Sequence, residues 1–351
     1  MSSLTETAIF SRKAFIWIII AICTVVALMI LLGIGKNIKN ALFPPKDLPA
    51  TVAFGGINSL NKTTGFTAAS GTTYELQTIS GGFPALPAYG TVFEIKKGSS
   101  SFGAIDNVSE MASNIGFDGQ GVEVAPGEFE YVDDVDKNIV LRIDSLSGNF
   151  LFDTNYENNT EILSGRPPDV QDAISIATRF LERYGLDLSD YPEEKVQTRM
   201  VRVDGTSLTP TQSANTANLI DVKFYRSDLN KVPVIWAKEN EAPISVLVSE
   251  RDVVYAKVSQ NQIATNKFAT YPLRNIADAY KDLEAGNGLF NRLPTQKQVT
   301  ILNITLGYIE SENMNGYLQP AYIFNSIDGL FGYVDAIESK WIEASQAANS
   351  L

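Results

Sequence analysis

The chain has 351 residues, 44% of them hydrophobic, with a formal net charge of -12, no histidine and a single cysteine. A body of that size can bury a sufficient core unaided. Without histidine there is no Ser-His-Asp or Cys-His catalysis and no His-ligated zinc; one cysteine excludes intrachain disulfides and thiolate-rich metal sites; and without a dense Lys/Arg cluster counterion release has nothing to drive it, so no nucleic-acid partner is expected.

The first element in chain order is Ala14 to Ile34, AFIWIIIAICTVVALMILLGI, which holds no charge and no proline. At 1.5 Å per residue such a run spans roughly 30 Å of hydrocarbon, one bilayer. Arg12 and Lys13 precede it, Lys36 and Lys39 follow it, and Cys23 lies inside it. It is too long for the apolar region of a secretory leader and lacks a small-residue cleavage site, which predicts an uncleaved signal anchor and a single-pass membrane protein. The flanking charges nearly balance, so the positive-inside rule leaves orientation open. The cysteine-free, acidic remainder suits an extracytoplasmic body with the N-terminus cytoplasmic. The expected layout is a cytoplasmic tail at 1–13, a transmembrane helix at 14–34 and a juxtamembrane linker at 35–60 carrying Pro44, Pro45, Pro49, Gly55 and Gly56. Two α+β domains follow at 61–165 and 166–341, and a frayed polar tail at 342–351.

Within the body, one helix is predicted from Ala104 to Ile115, with Ile105, Val108, Met111, Ala112 and Ile115 on one face and Gly116 as its stop. A second follows Pro167-Pro168, capped by Asp169, with the stripe Val170, Ala173, Ile174, Ala177, Phe180, Leu181, Tyr184 and a stop at Gly185. A third is expected from Pro272, carrying Leu273, Ile276, Ala277, Tyr280 and Leu283 to Gly286. Strands rich in β-branched and aromatic residues are expected at Thr91–Ile95, Ile139–Ile143, Val196–Val203, Leu219–Tyr225, Ile244–Val248 and Val253–Val258. Near the C-terminus, Leu302, Ile304, Leu306 and Tyr308 alternate with polar or small residues, and Asn315-Gly316 and Asp328-Gly329 supply turns. That pattern predicts a three-stranded antiparallel meander. An amphipathic helix flanked by strands thus recurs three times, which suggests divergent α+β repeats.

The segment DVQDAISIATRFLERYGLDLSDY (169–191) with the strands after it resembles a PepSY-like unit, and GYLQPAYIFNSIDGLFGYVDAI (316–337) is similar to the closing hairpin of the YycH/YycI type. These are membrane-anchored regulators of a cell-wall-sensing histidine kinase. The resemblance covers 169–337 and extends to 74–160. It implies an α+β fold of antiparallel sheets each covered by an amphipathic helix, and a role in protein-protein contact, partly through the transmembrane helix. It supplies no motif through which contact residues could be carried over.

No catalytic, cofactor-binding or metal-ligating residue is nominated. Asp134, Asp136 and Asn138 open like a calcium loop, but Ile139 stands where its glycine belongs and Ser145 where its bidentate Glu belongs, so a solvated turn is expected. Gly81-Gly82 and Gly119-Gln120-Gly121 lack the strand-to-helix context of phosphate cradles. Tyr308, Tyr317, Tyr322 and Tyr333 could form a peptide platform; cross-strand packing explains them more simply. The expected function is a non-enzymatic binding or regulatory protein whose partners are the bilayer and another membrane or envelope protein. An Asp/Glu-dependent hydrolase and a passive envelope scaffold are the competing readings.

Overall fold

The computed structural model describes residues 50–60, 64–79, 81–96, 98, 104–312, 314 and 316–343. All lie in one compact unit that begins at Ala50. The four α-helices among the described residues are α1 (Ala104–Asn114), α2 (Thr160–Ser164), α3 (Val170–Tyr184) and α4 (Ile276–Glu284).

The largest element is a nine-stranded sheet in which every neighbouring pair is antiparallel. Its order is Val122–Ala125, Glu128–Val132, Val140–Asp144, Phe150–Asp153, Val253–Val258, Ile244–Val248, Leu219–Phe224, Val196–Asp204 and Ser207–Pro210. Alternation explains its first half. Phe129, Tyr131, Leu141, Ile143, Phe150 and Phe152 point to a buried face, while Glu128, Glu130 and Arg142 point away from it. Helix α3 covers that face through Ala173, Ala177, Leu181 and Tyr184, whose spacing keeps one stripe facing inward. Helix α1 lies against α3 and buries Val108 and Ala112 in the same core. The expected division at residue 165 runs through this sheet, since Phe150–Asp153 pairs with Val253–Val258.

The C-terminal meander forms as expected: Asn303–Glu310, Pro320–Asn325 and Phe331–Asp335 pair in succession, antiparallel. It grows into a five-stranded sheet by adding Val234–Trp236 in parallel on one edge and Leu289–Phe290 on the other. Helix α4 packs on this sheet, burying Ala279 and Leu283. It starts four residues later than expected because Pro272 closes the strand Ile263–Pro272 opposite Tyr89, and Asn275 supplies the cap, accepting from the Ala277 N–H at 2.8 Å. A three-stranded sheet joins Ile263–Pro272, Tyr89–Ile95 and Tyr317–Leu318. Two short parallel pairs complete the fold, Ile57–Asn58 with Ile342–Glu343 and Thr73–Leu76 with Gln298–Ile301. Ile57 is buried, so the last residues of the expected linker belong to the folded body, as do the first two of the expected frayed tail.

Two expectations are corrected. The described chain is mostly β, and it is not a series of PepSY-like α+β units that each carry their own helix-covered sheet. Helices α1 and α3 share one face of one sheet, and the remaining strands form small sheets with little helical cover. The apolar stripes that suggested the repeats are real, but a stripe says only that something covers it. The single-pass, signal-anchored placement with an extracytoplasmic body finds no counterpart in the described residues: among them no helix is long and apolar enough to cross a membrane. The longest, α3, has 15 residues and a charged outer face, against the roughly 20 apolar residues a span requires. The segment 14–34 that carried the expectation lies outside the described residues.

Candidate binding cleft

The residues singled out in the sequence are dispersed. In the turn after Val132, the Asp133 carboxylate accepts from the Val135 and Asp136 N–H groups, and Asp136 accepts from Asn138. The backbone N–H groups of Asp136 and Val135 hold the Asp133 carboxyl below the usual range. These carboxylates organise their own loop, as the turn reading requires. Tyr308, Tyr322 and Tyr333 are buried, and their hydroxyls meet Thr91 O, Arg274 O and the Thr64 hydroxyl. Tyr317 stacks on Phe54 at 4.6 Å. The four act as packing residues, not as one platform. Gly121 sits so close to the Tyr131 ring that a Cβ there would overlap it, which accounts for that glycine without any ligand.

Two polar clusters are buried. Arg226 follows the strand Leu219–Phe224; its Nε donates to Glu310 Oε2 at 3.1 Å, its Nη1 to Asp190 at 2.6 Å, and its Nη2 to Asn261 O at 2.7 Å and Tyr191 Oη at 3.0 Å. Burial by itself pulls the guanidinium pKa down, and Glu310, Tyr191 and Asp190 together reverse that into a net rise. The second cluster lies on Leu219–Phe224, third from one edge of the large sheet. Asp221 receives Arg199 at 2.9 Å and the Ser245 hydroxyl at 3.2 Å, with Lys223 Nζ at 3.4 Å. Burial lowers the Lys223 pKa. Lys223 and Ser245 are cross-strand neighbours, an arrangement that spacing in the sequence does not nominate, yet each is committed to Asp221 and Lys223 also donates to Asn240 O. Both clusters saturate themselves with protein partners.

A site open to a ligand lies on the face of the large sheet opposite α1 and α3, a cleft of about 410 Å³. One wall is the sheet, with Glu128, Arg142, Asp144 and Lys257; the other includes Ser259 and Glu312. Glu128 and Asp144 are register partners on adjacent strands, so their side chains stand beside each other on one wall. Both cations are occupied: Arg142 donates to Glu130 at 2.8 Å and Lys257 to Glu312 at 3.0 Å. Ser259 adds a hydroxyl to Glu312 at 3.3 Å. Asn149 donates to Gln260 O at 3.1 Å, while its buried Oδ1 has no partner among the described residues. The cleft therefore presents a surplus of acceptors and negative charge.

No family model matches the chain, and no curated protein matches it. Several solved structures are weakly similar, two of them as follows. One is an uncharacterized protein from Eubacterium rectale, 12% identical, covering 80% of this chain and 94% of that one at a TM-score of 0.40. The other is the YpeB C-terminal domain of Bacillus megaterium, 12% identical, covering 69% of this chain and 95% of that one at a TM-score of 0.29. At these scores neither decides the fold or the function.

What the cleft can do follows from its chemistry. A ligand rich in donors, ammonium or guanidinium above all, would meet the carboxylates of Glu128 and Asp144. Side by side on one wall, Glu128 and Asp144 do not flank a bond from opposite sides as a glycosidase pair must. The third carboxylate, Glu312, is already engaged by Lys257 and Ser259.

Proposed function

We propose that the chain is a non-catalytic binding module that holds a Lys/Arg-bearing segment of a protein partner in the cleft on the sheet face opposite α1 and α3. The observation that carries this is the mismatch inside the cleft: its cations are paired within the fold, while among the described residues the Glu128 side chain has no bond of its own and Asp144 spends only its Oδ1, on the Leu146 and Ser147 N–H groups. Complementary charge of this kind sets specificity and speeds encounter. The test is retention of the full chain on an array of short peptides that differ in charge. Lys/Arg peptides should retain it at low salt, and retention should fade as salt rises. Glu128→Lys, at a side chain with no structural bond of its own in the fold, should weaken retention at least tenfold. Equal retention on Asp/Glu peptides, or turnover of a polysaccharide that Asp144→Asn abolishes, would overturn the reading.

A further inference from the structure

The large sheet ends on one side in Val122–Ala125, a strand that among the described residues pairs only with Glu128–Val132. Such an edge presents unpaired N–H and C=O groups, and proteins ordinarily blunt it with lysine, proline or a covering element. The opposite edge is treated that way: Ser207–Pro210 is polar and ends in a proline. Val122–Ala125 reads Val-Glu-Val-Ala, with Val122 65% and Val124 49% exposed and neither lysine nor proline in it; its one interruption is a shift in register at Val124, between Glu123 and Ala125. The chain leaving this strand passes directly into Pro126 and Gly127, which line the cleft. The edge strand and the cleft thus adjoin at Pro126 and Gly127.

We propose that Val122–Ala125 accepts an extended segment of the partner as a tenth strand of the sheet, and that this segment continues past Pro126 and Gly127 into the cleft. The inference rests on the binding reading above and specifies its geometry. Four paired residues span about 13 Å at roughly 3.3 Å each. Backbone hydrogen bonds supply the pairing, and side chains on alternate positions supply the choice of sequence. Charge selects the occupant. Glu123 and Val122 lie on opposite faces of the edge, their register partners being Phe129 and Glu130, so a segment alternating Lys or Arg with Val or Ile sets its cations beside Glu123 and its apolar side chains beside Val122, whereas a second copy of this chain would bring carboxylates together. The net charge of -12 works in the same direction.

The test uses the full chain and a fluorescein-labelled peptide of alternating lysine and valine, followed by fluorescence anisotropy at low salt. Two further peptides carry N-methyl groups on alternate amides, one on each of the two sets. A strand presents alternate amides to opposite edges, so one set should lose at least about tenfold in affinity and the other stay within about threefold of the parent. Val124→Pro should weaken the parent peptide with its circular dichroism unchanged. If both methylated peptides bind like the parent while Glu128→Lys still abolishes binding, the cleft reading stands and the strand addition is wrong. If no basic peptide binds, both fall. Concentration-dependent dimers of the chain that Val124→Pro dissolves would assign the edge to a second copy and overturn the proposal.

Discussion

The large sheet and the C-terminal region hold themselves together by different means. In the large sheet, strands adjacent in sequence mostly pair with each other, and one apolar face is closed by two helices over Leu141, Ile143 and Val222. The C-terminal region is assembled from segments far apart in the chain, several of them only two residues long: Ile57–Asn58 against Ile342–Glu343, Tyr317–Leu318 against Tyr89–Ile95. Ladders that short are not stable alone. Polar side chains pin them instead. Ser59 Oγ and the Leu60 N–H bind the Asp335 carboxylate at 2.8 and 3.0 Å, Gln319 donates to Asn58 O at 2.9 Å, Tyr271 to Gly55 O at 2.9 Å, and Tyr308 to Thr91 O at 2.9 Å. Where hydrophobic area within one sheet suffices, its polar side chains are not needed to set the register; where short strands must be gathered from a distance, each hydrogen bond donated by a tyrosine or glutamine or accepted by an aspartate fixes a register that the ladder is too short to fix.

The largest effect is expected where the two regions meet. Arg226 belongs to the chain leaving the large sheet and Glu310 to the C-terminal meander, and their side chains are 2% and 1% exposed. Arg226→Met strands a buried carboxylate and should cost about 3–5 kcal/mol in urea unfolding of the full chain. Adding Glu310→Gln, which still accepts from Asn261, should recover more than half of that. A single variant within about 1 kcal/mol of the native chain would mean that apolar packing alone joins the regions.

A smaller effect separates the regions by pH. Asp335, half-buried beneath Ser59 and Leu60, has its pKa raised by burial, which the Ser59 and Leu60 bonds and the nearby Arg274 only partly offset. A raised carboxyl pKa means that the fold binds the proton more tightly than the unfolded chain does. Its contribution is therefore most favourable below the unfolded value of about 3.9 and is lost as pH rises through the folded value. Asp335→Asn keeps the acceptor for Leu60 and removes the titration, so its melting temperature should climb relative to the native chain between about pH 4 and pH 7. A pH-independent difference would show that Asp335 does not titrate with folding.

The same contrast explains how much could be read in the sequence. The strands Ile244–Val248 and Val253–Val258, the stripe and glycine stop of α3, and the closing meander were legible because each is long enough to show its period. Two-residue strands show none, and parallel pairs such as Val234–Trp236 with Tyr308–Glu310 leave no turn to find them by. That α1 and α3 share a sheet was likewise hidden, since periodicity reveals an apolar face and not what lies upon it. Half of the cleft was within reach: Glu128, Glu130 and Arg142 alternate with Phe129, Tyr131 and Leu141, which marks one sheet face as charged. Its other wall was not, because Glu312 reaches Lys257 across 55 residues. The Arg226 to Glu310 pair spans 84 residues and left no local signal.

The smallest effect tests whether the helices of the two regions start in the same way. Both have a capping residue in the extended conformation before the first turn, Asp169 for α3 and Asn275 for α4, but only Asn275 uses its side chain to accept an N–H, that of Ala277. Helix α3 does not depend on such a bond, because Ala173, Ala177, Leu181 and Tyr184 bury its stripe over four turns against the sheet. Helix α4 has nine residues and buries only Ala279 and Leu283, so a frayed first turn is a larger share of its total. Asn275→Ala should then cost about 1 kcal/mol, while Asp169→Ala should cost no more than a few tenths, the residual attraction of a carboxylate for the helix N-terminus. Equal losses at the two sites, measured by urea unfolding at the same pH, would mean that both regions rely on end capping to the same degree, and that the packing of α3 over the large sheet does not make its start self-sufficient.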